Sequence, residues 1–212
     1  MQTKSKESIS DTLQAVPSTA VLPRPRARPQ TTSDEGLMTR IAGGDRLAME
    51  VLYARHHVRV FRFVLRFLQD EPAAEDVTIE VFLNVWRHAD RFEGRSAAST
   101  WVLAIARHKA LSALRRRPAE QLDDQTAKSV EDPADNPATA LEKKDMSTII
   151  RRSLLALPMQ LREIIDLAYY HQKSLEEIAE IVGIPKNTVK TRMFRARVRL
   201  AGLLRDAGIE RV

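Results

Sequence analysis

The sequence predicts an all-α protein of two small helical domains joined by a flexible acidic linker. Three observations carry that prediction. Apolar residues recur at three- and four-residue steps through most of the chain, the period of an amphipathic helix. Glycine is sparse, 7 in 212 residues, which leaves few of the tight turns that hairpins need. Between residues 118 and 145 the periodicity gives way to Pro118, Pro133 and Pro137 among Glu120, Asp123, Asp124, Glu131, Asp132 and Asp135, the composition of a linker.

Composition also narrows the function. The formal net charge of +6 suits a nucleic-acid partner. With no cysteine there is neither a disulfide framework nor a thiolate metal site. No apolar run approaches the roughly 20 residues that span a bilayer. Near the N-terminus, residues 13–21 are interrupted by Gln14, Pro17, Ser18 and Thr19, unlike the apolar core of a secretory signal. The expectation is a cytoplasmic protein without membrane insertion or cofactor.

Taken in order, residues 1–34 form a disordered tail rich in Ser, Thr, Gln and Pro, with Arg24, Arg26 and Arg28 in an extended proline-rich stretch. The first domain, residues 35–117, opens with a short helix from about Leu37 and a Gly43-Gly44 break. A long helix then starts near Arg46, its buried stripe comprising Ala48, Leu52, Tyr53, Val58, Val60, Phe61, Val64, Leu65 and Phe67. His56 and His57 are adjacent and point about 100° apart on a helix, which makes them a poor metal pair. A second strong helix carries Val77, Val81, Phe82, Val85 and Trp86 inward and an acidic edge of Glu75, Asp76 and Glu80 outward. Asp76 and Glu80 are four apart and therefore neighbours, but no glycine loop or polar cluster completes an acid–base or metal site around them. Residues 93–100 read as a polar loop. The helix after it places Trp101, Val102, Ile105, Ala106 and Leu111 inward and Arg107, His108 and Lys109 outward, and it ends in Arg115, Arg116 and Arg117. A basic face beside a polar loop and an aromatic suits a nucleic-acid strand; a run of arginines at a helix C-terminus also answers the helix dipole.

Beyond the linker, residues 146–212 form the second domain. Leu155, Leu157, Leu161, Ile164, Ile165, Leu167 and Ala168 make a supporting helix pair. Residues 174–197 then read as a helix-turn-helix. Ser174 and Glu177 are spaced for a capping box, and Ile178, Ala179, Ile181 and Val182 form an apolar face. Gly183 ends the helix, and Pro185 suits the first turn of the next. Val189, Met193, Ala196, Leu200 and Leu203 line the inner side of that second helix. Lys186, Asn187, Thr188, Lys190, Thr191, Arg192 and Arg195 lie outside, the donors and acceptors a major groove calls for. An ordinary amphipathic pair with a solvated basic face would explain the charges but not the joint placement of cap, small residue, glycine and proline.

These segments, in this order, resemble the sigma-70 family, specifically its compact extracytoplasmic-function (ECF) group. AEDVTIEVFLNVWR resembles the helix that binds core polymerase. RFEGRSAASTWVLAIARHKALSAL resembles the −10-recognition and melting region, and the block from Leu157 to Leu200 resembles the −35-reading domain. The resemblance covers residues 37–117 and 146–204. It implies a sigma region 2-like domain and a region 4-like domain, with no domain between them and no catalytic residues. It implies contact with the β′ clamp of core RNA polymerase by Asp76, Glu80, Phe82, Asn84 and Trp86. It implies −10 DNA contact by Arg95, Ser96, Ser99, Trp101, Arg107, His108 and Lys109, with a loop that captures a flipped base. Lys186, Asn187, Thr188, Lys190, Thr191, Arg192 and Arg195 are then the −35 contacts. An anti-sigma factor and a stress or envelope response are further implications. A stand-alone helix-turn-helix regulator would account for residues 174–197 but leaves the acidic edge and the Trp101 segment unexplained. An enzyme would need a carboxylate or histidine constellation that is not assembled here.

Three positions depart from the family pattern. Ile79 stands where glutamine is frequent, and His108 and Ser112 stand where asparagine and aspartate are common. Imidazole offers different hydrogen bonds from a carboxamide, so the −10 preference is expected to differ. Histidine also changes charge near neutrality. Open-complex formation by the native chain and by His108→Asn is therefore expected to diverge between about pH 6 and pH 8; superimposable profiles would discard the idea.

Overall fold

The computed structural model describes residues 32–116 and 137–209. The expected tail, up to residue 31, and most of the expected linker lie outside the described residues. Helix α1 (Asp34–Ala42) starts where Ser33 Oγ accepts the Gly36 N–H at 3.1 Å. Asp34 then ties α1 to helix α2 (Arg46–Leu68) through Arg55 at 2.7 Å and His56 at 2.6 Å. Burial pushes the Asp34 carboxyl up, but those two partners outweigh it and hold the group below its ordinary value. Gly44, at φ +83°, makes the turn into α2, and Asp45 caps it by accepting the Ala48 N–H at 3.1 Å.

Helix α3 (Glu71–His88) follows an Asp70 cap, with Pro72 in its first turn, where no N–H is missed. A single 3-10 turn, Ala89–Arg91, leads to the loop before helix α4 (Ala98–Arg116). Ala98, Ser99 and Thr100, expected in that loop, are the first turn of α4. Glu35 Oε1 accepts the Ala98 N–H at 3.2 Å there, and Thr100 is fully buried. Helix α5 (Pro137–Leu155) likewise begins inside the expected linker, with proline at its first position. Helices α6 (Met159–Tyr169), α7 (Leu175–Val182) and α8 (Lys186–Asp206) complete the described chain.

Helices α1 to α4 pack on one another, as do α6 to α8, with α5 lying against α8. The two groups are not joined by chain alone. Helix α4 packs along α7, and one continuous set of buried apolar side chains runs from Leu37 to Ala196. Within α2 the stripe is shifted from expectation: Tyr53 and Val58 are exposed while Phe63 is fully buried. His56 is buried against Asp34, whereas His57 stacks on Tyr53 at 4.8 Å between ring centres. Each ring thus has a partner within the protein, Asp34 for His56 and Tyr53 for His57.

Two glycines in the last three helices make opposite predictions. Gly183 is left-handed at φ +71° with open space around its Cβ position, so the cost of a side chain is conformational. Gly183→Ala is expected to destabilise the α6–α8 group by about 1 kcal/mol. Gly202 sits in helical backbone with equal room, and Gly202→Ala is expected to stabilise by about 0.5–1 kcal/mol. Urea titrations of the two variants should move the midpoint in opposite directions.

Candidate nucleic-acid and polymerase interfaces

The turn that presents α8 is built from local hydrogen bonds. Ser174 Oγ accepts the Glu177 N–H at 3.2 Å, and Glu177 Oε2 accepts the Ser174 N–H at 2.9 Å, a complete capping box. Gly183 takes the left-handed conformation, and its N–H reaches the Ala179 carbonyl at 2.9 Å. Pro185 precedes α8 as its N-cap rather than occupying its first turn. Val189, Met193 and Ala196 are buried, which fixes the rotation of the helix. Lys186, Asn187, Lys190, Thr191 and Arg195 are thereby exposed, with Thr188 and Arg192 half-buried. Lys186 pairs with Glu176, and Thr191 Oγ1 donates to the Asn187 carbonyl at 3.0 Å. Asn187, Lys190 and Arg195 thus offer amide and cationic groups along one accessible surface.

The candidate −10 residues are placed unevenly. Arg95 is exposed and pairs with Glu93 at 2.8 Å, Ser96 is half-buried, and Trp101 packs beside Phe92 with 5.7 Å between ring centres. His108 is exposed. Lys109 Nζ lies 3.1 Å from Glu80 Oε2, so the basic side of α4 touches the acidic edge of α3. Ser99 and Arg107 point elsewhere. Ser99 Oγ accepts a 2.7 Å bond from Lys173 Nζ, and Arg107 Nε donates to Glu163 Oε2 at 2.8 Å. Both face the α6–α8 group.

On α3, Asp76 and Glu80 are exposed and Asn84 and Trp86 half-buried. Phe82, placed inward by the helical period and at the clamp by the family resemblance, is 4% exposed and edge-on to Tyr53 at 4.8 Å, with its ring in the core. The exposed apolar side chains of this face are instead Ile79 and Leu83, which with Asp76 and Glu80 follow the three- and four-residue helical step. Both fall outside the inward stripe that the helical period picks out on α3, and the structure leaves both in solvent.

The seam between the two helical groups was not foreseen, because its charged residues read singly as surface. Glu163, 4% exposed, receives Arg107 at 2.8 Å and lies 3.9 Å from Arg192. Asp166, 3% exposed, pairs with Arg66 of α2, whose guanidinium lies 3.9 Å from the Tyr170 ring centre. Lys173 Nζ donates to Ser99 at 2.7 Å, Thr100 at 2.9 Å and Glu177 at 2.8 Å, and Thr100 Oγ1 donates to Glu177 at 2.6 Å. The Glu177 carboxyl is raised by burial, but hydrogen bonds from Lys173, Thr100 and the Ser174 N–H overcome that and hold it at about 2. His171, with its ring edge-on to Phe63, is pushed down to about 4 by burial, aided by Arg66, Arg59 and Lys173. Among the described residues no three His, Asp or Glu side chains gather to hold a metal, and no helix is long and apolar enough to cross a membrane.

Comparison with known proteins fits this arrangement. Residues 52–119 match the family model "Sigma-70 region 2" and residues 147–200 match "Sigma-70, region 4". The RNA polymerase sigma-H factor of Pseudomonas aeruginosa is 32% identical over 189 residues, 82% of this chain and 97% of the relative. The ECF RNA polymerase sigma-E factor of Escherichia coli is 33% identical over 174 residues, covering 78% and 91%. The chain belongs to the sigma-70 family, in its ECF group. Two solved structures share the fold. CnrH, in complex with the cytosolic domain of CnrY, matches with a TM-score of 0.61 at 25% identity, covering 82% of this chain and 97% of that one. RpoE of Bartonella quintana, in complex with the anti-sigma factor NepR, matches with a TM-score of 0.58 at 27% identity, covering 76% and 98%. This is therefore an alternative sigma factor, a transcription initiation factor without enzymatic activity, whose partners are core RNA polymerase and promoter DNA. Two matched regions in this order do not favour a stand-alone helix-turn-helix regulator.

The seam gives the sigma factor a pH-dependent stability. His171 binds its proton more weakly when folded, at about 4, than at its ordinary value of 6.5. Its contribution is complete above about pH 6.5 and is lost as pH falls from there towards about 4, on the order of 3 kcal/mol for this buried ring. The Glu177 contribution is lost lower, between 4.5 and about 2. Urea midpoints are expected to fall from pH 7 to pH 5 in the native chain and much less in His171→Phe.

Proposed function

We propose that this sigma factor divides promoter recognition between its two helical groups, residues 35–117 and 146–212. Helix α8 enters the major groove of the −35 element with Lys186, Asn187, Thr188, Lys190, Thr191, Arg192 and Arg195. Helix α4 and the loop before it take the unpaired −10 strand with Arg95, Ser96, Ser99, Trp101, Arg107, His108 and Lys109. The exposed edge of α3, Asp76 and Glu80 with Ile79, Leu83, Asn84 and Trp86, meets the polymerase clamp. The observation that carries the reading is the accessible row of amide, hydroxyl and cationic side chains on α8, opposite a buried Val189–Met193–Ala196 face. Supporting it, α3 exposes Ile79 and Leu83 beside Asp76 and Glu80, the mixture expected of a protein interface with a polar rim.

The protein acts in the cytoplasm, where the polymerase is, and an anti-sigma factor holds it out of use. That last element is supported by the solved RpoE relative, whose structure contains the anti-sigma factor NepR.

The test is binding to sigma-free core RNA polymerase, followed by transcription from a promoter-fragment library. Expected are tight binding and selection of a shared pair of −35 and −10 elements. With a selected fragment, Lys190→Ala and Arg195→Ala are expected to weaken duplex binding by about 1–3 kcal/mol where a base edge is lost. Where a phosphate contact is lost, each should reduce the salt slope by about one. Retention of duplex DNA without any binding to core would overturn the division of labour.

A further inference from the structure

The seam consumes groups that promoter DNA requires. Glu163 lies at its centre with its carboxylate almost wholly shielded, and it is approached by an arginine from each DNA-reading helix. Arg107 of α4 donates through Nε at 2.8 Å and through Nη2 at 3.4 Å, the forked approach by which guanidinium also meets a phosphate. Arg192 of α8 brings its Nη1 to 3.9 Å of the same carboxylate. Beside them, Lys173 holds Ser99 Oγ at 2.7 Å and Thr100 Oγ1 at 2.9 Å, the hydroxyls of the first turn of α4.

Promoter geometry turns this into a conflict. Elements centred near −35 and −10 lie about 25 base pairs apart, roughly 85 Å along B-form DNA at about 3.4 Å per pair. Helices whose arginines share one carboxylate cannot read both at once.

Resting on the promoter-reading assignment above, we propose that Glu163 and Lys173 form an intramolecular latch: the Glu163 carboxylate stands in for a DNA phosphate, closing the free sigma factor until polymerase and promoter DNA pull Arg107 and Arg192 away. The occluding group is part of the chain, so restraint exists before any inhibitory protein binds.

The chain contains no cysteine, so Asp90→Cys and Glu180→Cys, both exposed and outside every assigned contact, can carry a dye pair reporting the separation of α7 from the α1–α4 group. The full chain is measured first without DNA, then with the promoter fragment selected by the library. High energy transfer without DNA and low transfer in the polymerase–promoter complex are expected. Glu163→Gln should lower transfer in the absence of DNA and tighten binding of the duplex roughly tenfold, as when a competent state of about one in ten becomes dominant. Lys173→Met should shift both readings the same way, although it removes a positive charge that would otherwise favour DNA. Circular dichroism checks that each variant is folded, and if Glu163→Gln loses helix content, Lys173→Met decides. Native-level transfer with unchanged or weaker DNA binding in the folded variants would overturn the latch, as would low transfer in the native chain alone. Transfer without DNA reads closure directly, so high transfer in the native chain that Glu163→Gln lowers, with no promoter selected, would count against the promoter-reading assignment and not against the latch.

Discussion

Two carboxylates three residues apart on α6 can be buried only because arginines from other helices reach them. Glu163 and Asp166 are each almost fully shielded from water, and an isolated charge there would be costly. Arg107 comes from α4, Arg66 from α2 and Arg192 from α8. That requirement holds the two helical groups in register more specifically than apolar contact, which has no direction. It also makes the arrangement breakable. Removing one partner leaves a buried charge, and a competing anion can take the same arginines.

The surrounding groups sharpen this balance. Glu177 serves both as the capping-box acid of α7 and as the acceptor for Lys173 and Thr100, so the helix that leads into the Gly183 turn is itself tied to α4. Burial, with Arg66, Arg59 and Lys173 nearby, holds the His171 imidazole below its ordinary value even though Asp166 Oδ2 lies 3.6 Å from its Nε2. The seam is thus rich in positive charge answered by few carboxylates. An interface of this kind suits a protein that must exchange internal partners for nucleic acid.

Away from the seam, the division of surfaces follows from helix geometry. Helix α8 buries Val189, Met193 and Ala196, and its outer side carries polar and basic groups together with the exposed Phe194 and Val198. Helix α3 buries Val77, Val81 and Val85 yet leaves Ile79 and Leu83 in solvent beside Asp76 and Glu80. Lys109 joins the basic side of α4 to that acidic edge through Glu80. Helices α3 and α4 are thus joined by an ion pair at their surface as well as by their buried faces.

Helix periodicity, the Ser174–Glu177 box, the Gly183 turn and the buried face of α8 were legible in the sequence because each depends on residues within about one or two helical turns. The acidic edge of α3 and the outward basic face of α8 were legible for the same reason. Tertiary structure alone decided which apolar residues of α2 are buried: Phe63 inside, Tyr53 and Val58 outside. It also drew Ala98, Ser99 and Thr100 into α4, where Glu35, Lys173 and Glu177 come from distant parts of the chain to bind them. The pairing of Glu163 with Arg107 spans 56 positions, and no local pattern marks it. Short-range hydrogen bonding and periodicity are written into neighbouring residues; the partner of a buried charge is selected only when separate helices pack.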